Sequence, residues 1–203
     1  MVALHRALLS EATVARWRSV LDARPEGSLK LADAIDPSEV LAALAPLRPA
    51  LQAMLGARPC CDADECWVRR ARPAHHWHQD GALRHDFLAQ PGPPPADALL
   101  AMRTLWIALT PCGVDAPGLE WAEPSAQRLL APAELTEAAV DAAWPGRVHP
   151  ALDAGDALLF DGALLHRTHR TPAMHRARTS LELRFFADPP PARLAGDRML
   201  AWH

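Results

Sequence analysis

Two histidines and one aspartate are the residues of this sequence best suited to bind a metal ion. His78 and Asp80 stand two positions apart, just after Trp77. Side chains at i and i+2 of a β-strand project from the same face, so the imidazole and the carboxylate would converge there. His166, which follows a turn at Gly155-Asp156 and two short apolar segments, is the third candidate. Two histidines and one carboxylate form the facial triad of non-haem Fe(II) sites, which leaves coordination positions open.

An arginine follows that could hold the distal carboxylate of 2-oxoglutarate beside such a metal. Arg178 begins a segment, to Ala187, in which apolar and polar residues alternate as in a strand. The polar positions after Arg178 are Ser180, Glu182 and Arg184. A guanidinium pairs bidentately with a carboxylate, so this polar face suits the mouth of a barrel that binds an anion. An edge strand that shows its polar face to solvent would produce the same pattern.

Composition limits the classes of protein to consider. The 203 residues are half apolar and carry a formal net charge of −3, which is typical of one globular domain. That charge gives no reason to expect binding to nucleic acid or to a membrane surface. We find no apolar run of membrane-spanning length and expect no signal peptide in the first ten residues. Four cysteines, two of them adjacent at Cys60 and Cys61, are typical of a reduced cytoplasmic protein.

The order of elements predicts an α+β fold. Ser10 predicts the start of one helix, and Asp36-Pro37 with Glu39 in a capping box predicts another. We therefore expect a helical part over residues 1–57 of a single domain, 1–203, and a strand-rich core over 64–190. The predicted strands suggest a jelly-roll or barrel-like sheet system. They are Trp67–Ala71, Leu99–Thr110, Ala157–Phe160 and Arg178–Ala187, with a helix inserted at Pro132–Trp144.

Four stretches of this sequence resemble the phytanoyl-CoA dioxygenase-like oxygenases, which depend on Fe(II) and 2-oxoglutarate. Together they span most of the chain after residue 67. The spacing from Gly-Asp to histidine and the strand that begins with arginine are the specific parts. The stretches are Trp77-His-Gln-Asp-Gly81, Leu105-Trp-Ile-Ala-Leu-Thr110, Gly155-Asp156 through His166, and Arg178-Thr-Ser-Leu-Glu-Leu-Arg-Phe185.

The resemblance implies a double-stranded β-helix (jelly-roll, cupin-like) core with the N-terminal helices packed on one sheet. It implies that His78, Asp80 and His166 bind Fe(II), with 2-oxoglutarate and O₂ as cosubstrates. It further implies that Arg178 grips 2-oxoglutarate with help from Thr168.

Other positions receive secondary roles, and Glu182 and Arg184 could simply pair with each other across a polar barrel wall. Trp106 is expected near the cosubstrate, and Thr104, on the same strand face, is a further candidate for cosubstrate binding. Gln79, Glu182 and Arg184 are weaker candidates for contact with a small-molecule substrate. The carboxylate at position 80 favours hydroxylation, or another oxygen-dependent oxidation, over halogenation. The loop from Gly81 to Ala96 is a candidate lid, since long loops near sites often gate them.

Several alternatives remain open. A cupin-like metal enzyme that does not use 2-oxoglutarate would need no buried carboxylate-binding arginine, and a non-catalytic jelly-roll binding protein would need no triad. His75 and His76 are most simply solvent-exposed neighbours, and they are replacement ligands if His78 points elsewhere. Cys60, Cys61 and Cys66 form a weak zinc pattern because their spacing is irregular. The basic tract around His169 suits a solvated loop, with recognition of an anion as the alternative.

Overall fold

Two antiparallel sheets, joined by a shared apolar cluster, form the core of the protein. The computed structural model describes residues 2–70, 74–83, 93–95, 97–191, 194 and 199–202. The strands of this part are β1 (Val2–His5), β2 (Gly27–Lys30), β3 (Cys60–Asp62), β4 (Trp67–Arg70), β5 (Met102–Ala108), β6 (Gly118–Ala122), β7 (Arg147–Val148), β8 (Ala157–Asp161), β9 (His166–His169), β10 (Thr179–Phe186) and β11 (Met199–Ala201). The helices are α1 (Glu11–Asp22), α2 (Pro37–Ala43), α3 (Arg48–Leu55) and α4 (Glu137–Ala143).

The larger sheet places β10 at its centre. Its strands follow the order β1-β8-β5-β10-β3-β11, and β4 pairs with both β10 and β2. The smaller sheet has the order β7-β6-β9. With helices on one side, this is the predicted α+β jelly-roll. Because β10 has partners along both edges, its polar residues are not those of an exposed edge strand, and that alternative is excluded.

Helices α1, α2 and α3 cover the outer face of the larger sheet. Leu105 and Ile107 of β5 join a buried cluster with Trp17 of α1 and Leu51 of α3. The opposite face of β5 carries Trp106, which belongs to the cluster between the two sheets. This two-sided burial follows from the period of two along a strand. None of the described helices has the length and apolar run needed to cross a bilayer.

The caps predicted for the first helices are present, but one contact differs. Ser10 Oγ accepts from the Thr13 amide, and the Asp36 carboxylate accepts from the Ser38 amide. Glu39 does not complete a capping box: its Oε1 accepts from Trp17 Nε1 at 2.5 Å. The carboxylate thus ties α2 to the indole of α1.

The segment predicted to be helical, 1–57, also contains two strands. β1 pairs with β8, and β2 pairs with β4, so both belong to the larger sheet. The core likewise begins before residue 64, since β3 pairs with β10. The predicted helix at 132–144 is a 3₁₀ turn, Pro132–Leu135, followed by α4. Most of the candidate lid, residues 84–92 and 96, lies outside the described residues.

Candidate active site

Backbone pairing between two remote segments brings the two candidate histidines together. The amide of His78 donates to the His166 carbonyl at 2.9 Å, and the amide of His166 donates back at 3.0 Å. Their ring centroids are 4.2 Å apart. The sequence predicts that Asp80 lies on a strand with His78. In the structure Asp80 instead begins a 3₁₀ turn, Asp80–Ala82. One ligand atom from each of the three residues nevertheless lies within 4.8 Å of the others.

In both imidazoles, Nδ1 makes a hydrogen bond with a backbone carbonyl oxygen. Nδ1 of His78 lies 2.7 Å from the His76 carbonyl oxygen, and Nδ1 of His166 lies 2.9 Å from that of Leu164. Nδ1–H is the donor in such contacts, which leaves Nε2 as the free lone pair. Hydrogen bonding to backbone carbonyls is how proteins commonly orient histidine ligands. The donor set therefore fits a divalent transition metal ion.

Burial and nearby charges keep Asp80 and His78 in their ligating forms. Burial would raise the pKa of Asp80, but Arg184, the two imidazoles and the Thr104 hydroxyl together hold it well below its usual range. Burial and the neighbouring His166 lower the pKa of His78 to about 4, although 34% of its side chain faces the open cavity. A carboxylate and a neutral imidazole are the forms that bind metal.

The two oxygens of Asp80 have different donors. Arg184 donates to Oδ1 at 2.9 Å, and the hydroxyl of Thr104 donates to Oδ2 at 2.7 Å. The sequence predicts a contact with the cosubstrate for Thr104 and a contact with the substrate for Arg184. Both side chains line the cavity, and each donates a hydrogen bond to the candidate carboxylate ligand.

Arg178 lies deep in the same cavity. It is 8% exposed, donates to the Gly118 carbonyl at 3.1 Å, and lies over the Trp106 ring at 5.4 Å from the centroid. Burial lowers the pKa of Arg178 from its usual value. Within the described part of the chain it has no carboxylate partner. A buried guanidinium without a counter-ion is a ready site for an anion.

The cavity contains about 380 Å³ of empty space, open solvent at its mouth included. Beside the triad, it is lined by every predicted cosubstrate residue and by two of the three predicted substrate residues. The lining residues are His75, His78, Asp80, Thr104, Trp106, Leu119, Phe160, His166, Arg167, Thr168, Arg178, Glu182 and Arg184.

Gln79 does not lie in this cavity. Its side-chain amide donates to the carbonyls of Arg128 and Ala163, each at 2.8 Å, and accepts from the Leu130 amide at 2.8 Å. The prediction of substrate contact for Gln79 is therefore wrong. A side chain that alternates with ligands along the sequence points away from them, and here it fastens the backbone behind the site.

Glu182 faces the cavity from the middle of β10. Arg69 on β4 donates twice to its Oε2, each time at 3.1 Å, and Arg184 lies 3.8 Å from the same oxygen. Burial would raise the pKa of Glu182, but these two guanidinium groups lower it. The carboxylate is therefore ionised beside the triad.

Sequence reasoning missed one residue of the lining. His75 was treated as a solvent-exposed neighbour, but its Nε2 is buried and has no hydrogen-bond partner among the described residues. Burial lowers the pKa of His75. The signal that locates it is the antiparallel pairing of the ligand segments, in which the Thr168 amide donates to the His75 carbonyl at 3.0 Å. His76, by contrast, is exposed.

The alternative sites receive little support. Among the described residues, the triad is the one cluster suited to a metal, so the cysteine pattern forms no zinc site there. Cys61 and Cys66 instead contact each other, with 3.2 Å between sulfur atoms. In the basic tract, Arg167 and His169 both contact Glu120, at 3.0 and 3.3 Å. That engagement favours a structural role for these two residues over recognition of an anion.

Comparison with solved structures shows the same fold. SnoK, a non-haem α-ketoglutarate-dependent carbocyclase from nogalamycin biosynthesis, is 19% identical with a TM-score of 0.63, over 92% of this chain and 80% of its own. HygX from Streptomyces hygroscopicus, solved with nickel and 2-oxoglutarate, is 16% identical with a TM-score of 0.68, over 96% and 89%. EctD from S. alaskensis, solved with 2-oxoglutarate and 5-hydroxyectoine, is 16% identical with a TM-score of 0.69, over 92% and 72%.

Sequence comparison identifies the family. No curated protein matches the chain closely enough to count as a relative. The family model described as phytanoyl-CoA dioxygenase (PhyH) matches residues 15–177, which span the triad and most of the described core. The chain therefore belongs to the phytanoyl-CoA dioxygenase family of Fe(II)- and 2-oxoglutarate-dependent oxygenases.

Proposed function

We propose that this protein is a dioxygenase that hydroxylates a small molecule at a single iron ion held by His78, Asp80 and His166. The observation that carries the proposal is the shared cavity. Three ligand atoms lie within 4.8 Å of one another, and the same cavity contains the buried guanidinium of Arg178. A metal site and an anion site side by side are what a metal-chelating dicarboxylate requires.

The overall reaction expected with both cosubstrates bound accounts for both atoms of O₂. With Fe(II) in place, one atom of O₂ enters succinate as 2-oxoglutarate loses CO₂, and the other enters the substrate, whose C–H bond becomes C–OH. The residues of the chain supply ligands, orientation and exclusion of water. The described residues offer three protein ligands, so positions remain for the cosubstrates.

Arg178 is proposed to bind the distal carboxylate of 2-oxoglutarate. Its side chain is held by Gly118 and by the face of Trp106, and it has no acidic partner in the described part of the chain. Thr168 lines the same cavity and can donate its hydroxyl hydrogen, since its oxygen accepts from the His75 amide. A cupin-like enzyme without 2-oxoglutarate has no use for this arginine.

The substrate is proposed to be a small polar molecule that presents a hydrogen-bond donor to Glu182. Both contacts from Arg69 end on Oε2, and no donor among the described residues reaches Oε1. His75 lines the same space, and its buried Nε2 has no hydrogen-bond partner among the described residues, so we propose it as a second polar contact. Structures of this fold include SnoN in complex with nogalamycin RO and EctD with 5-hydroxyectoine, both small molecules.

Anaerobic addition of Fe(II) and 2-oxoglutarate tests the proposal. We expect a weak visible charge-transfer band, which His166→Ala and Arg178→Ala abolish. His76→Ala is the matched control because its side chain is exposed and it should keep the band. Admission of oxygen should then release succinate. A wild-type protein that is folded but gives no band would contradict the proposed function.

A further inference from the structure

Asp80 is held by two residues that lie directly opposite each other on paired strands. Thr104 of β5 and Arg184 of β10 are cross-strand partners in the larger sheet. Directly opposed side chains project from the same face about 5 Å apart. Each takes one oxygen of the carboxylate, at 2.7 Å for Thr104 and 2.9 Å for Arg184. The sheet thus presents a two-point clamp to Asp80.

The arginine of this clamp is itself fixed. Its other terminal nitrogen donates to the Glu65 carbonyl at 2.7 Å, and Glu182 lies 3.8 Å away. Glu182 in turn is held by Arg69. The side chains of Asp80 and Arg184 are only 4% and 8% exposed, so solvent screens these charges weakly. Alternating charges therefore run from Arg69 through Glu182 and Arg184 to Asp80.

The clamp supplies an orientation that the local backbone does not. Asp80 begins a 3₁₀ turn, so it lacks the fixed side-chain direction of a strand residue. A carboxylate offers about four lone-pair positions, and the clamp occupies two of them. The remaining positions are free for a metal, and Oδ1 lies 3.9 Å from Nε2 of His78.

We propose that Thr104 and Arg184 are positioning residues that fix Asp80 in its metal-binding orientation. The proposal rests on the proposed iron site, and it assigns neither residue to 2-oxoglutarate or substrate. Loss of a hydrogen-bond partner of a ligand commonly costs about 10- to 100-fold in metal affinity. The same loss is expected here, with no change in the affinity of the metal-loaded protein for 2-oxoglutarate beyond about twofold.

The test measures the affinity for Co(II), an air-stable substitute for Fe(II), by titration against a chelating dye. We expect Thr104→Val to weaken binding about 10-fold and Arg184→Met about 10- to 100-fold. Thr104→Ser should recover most of the affinity because it restores the hydroxyl. Arg184→Lys should recover part of it because it restores one donor and the charge. Arg103→Met is the matched control, since Arg103 contacts the Met102 carbonyl and Met54, away from Asp80.

Two outcomes separate this inference from the proposed function. Wild-type affinity, or tighter binding, in both Thr104→Val and Arg184→Met would overturn the clamp while the metal site stands. A wild type that binds no Co(II) would overturn the metal site itself. Circular dichroism and thermal unfolding establish that each variant is folded. If Arg184→Met does not fold, Thr104→Val decides the matter alone, because it replaces only the hydroxyl of threonine with a methyl group. Thr104→Ser, which keeps the hydroxyl and loses the methyl group, is its control.

Discussion

The guanidinium of Arg178 lies over the indole of Trp106, 5.4 Å from the ring centroid. Trp106 belongs to β5, and Arg178 immediately precedes β10, the strand paired with β5. A cation over an aromatic face gains about 0.5–2 kcal/mol, which helps to hold the side chain extended. Arg178 donates to one acceptor among the described residues, the Gly118 carbonyl, so other N–H donors remain for an anion in the cavity that it lines.

Arg178→Lys should weaken 2-oxoglutarate binding without loss of the metal site. Lysine keeps the charge but cannot form two parallel hydrogen bonds with a carboxylate. The affinity for 2-oxoglutarate should fall about 10- to 100-fold, because a hydrogen bond to a charged group contributes about 1.5–3 kcal/mol. It would be measured as the 2-oxoglutarate concentration that half-saturates the anaerobic charge-transfer band. Arg176→Lys, on the adjoining exposed segment, is the control, and equal half-saturation in both variants would contradict the assignment.

Glu120→Gln should destabilise the smaller sheet in a pH-dependent way. Burial would raise the pKa of Glu120, but Arg167 and His169 lower it overall. A carboxylate whose pKa is lower in the folded state stabilises the fold above the unfolded value of about 4.3, and this contribution is lost as the pH falls. We expect a cost of about 2 kcal/mol at pH 7, which shrinks below pH 4.

Urea unfolding at pH 7 and at pH 3.5 would measure this difference. Glu137→Gln is the control, because Glu137 also pairs with Arg167 but is 52% exposed. Exposed ion pairs contribute about 0–1 kcal/mol, so this variant should stay close to wild type. A cost for Glu120→Gln that is equal at both pH values would argue against the ionic explanation.

Gly162→Ala should disturb the site through a backbone contact. A Cβ atom at Gly162 would lie 2.9 Å from Gly81 Cα and 2.9 Å from the Leu100 carbonyl oxygen. The amide of Gly81, next to Asp80, donates to the Gly162 carbonyl at 2.8 Å. Separation of these segments should cost about 1–3 kcal/mol of stability and weaken Co(II) binding as Asp80 moves. Thermal unfolding and the Co(II) titration would measure both effects, and unchanged values would show that the contact relaxes freely.

The four cysteines should be unreactive in the native protein. All four are free and buried. Burial, as the largest cause, raises the pKa of both Cys60 and Cys112 to about 11, so only about 0.1% of either thiol is ionised at pH 8. A thiol-specific disulfide reagent should therefore detect almost no thiol before denaturation and four afterwards. Rapid reaction of the native protein would indicate that one of these sites opens readily.

The strand that carries Arg178, Glu182 and Arg184 was predictable because its alternation is a local property. A period of two fixes the face of every side chain once the strand is recognised. The positions found for Leu181, Leu183 and Glu182 follow from that period alone. β5 was predicted on the same grounds, and its boundaries moved by only a few residues.

The surroundings of Asp80 could not be predicted in the same way. Arg184 is 104 residues away in the chain, and nothing near Asp80 in the sequence indicates that the two meet. Gln79 is similar, because its partners at Arg128 and Ala163 belong to remote loops. The first strand, Val2–His5, was missed because four residues carry too little pattern and its pairing with β8 is entirely tertiary.

The placement of Arg178, Glu182 and Arg184 along one central strand limits how this protein can evolve. Insertion or deletion of a single residue between positions 178 and 184 would reverse the face of everything beyond it, and would send Arg184 into the hydrocarbon layer beneath the helices. Natural variants are therefore expected to keep the length of this segment fixed. New specificities would arise through exchange of the side chain at position 182 and through changes in the loops that surround the opening.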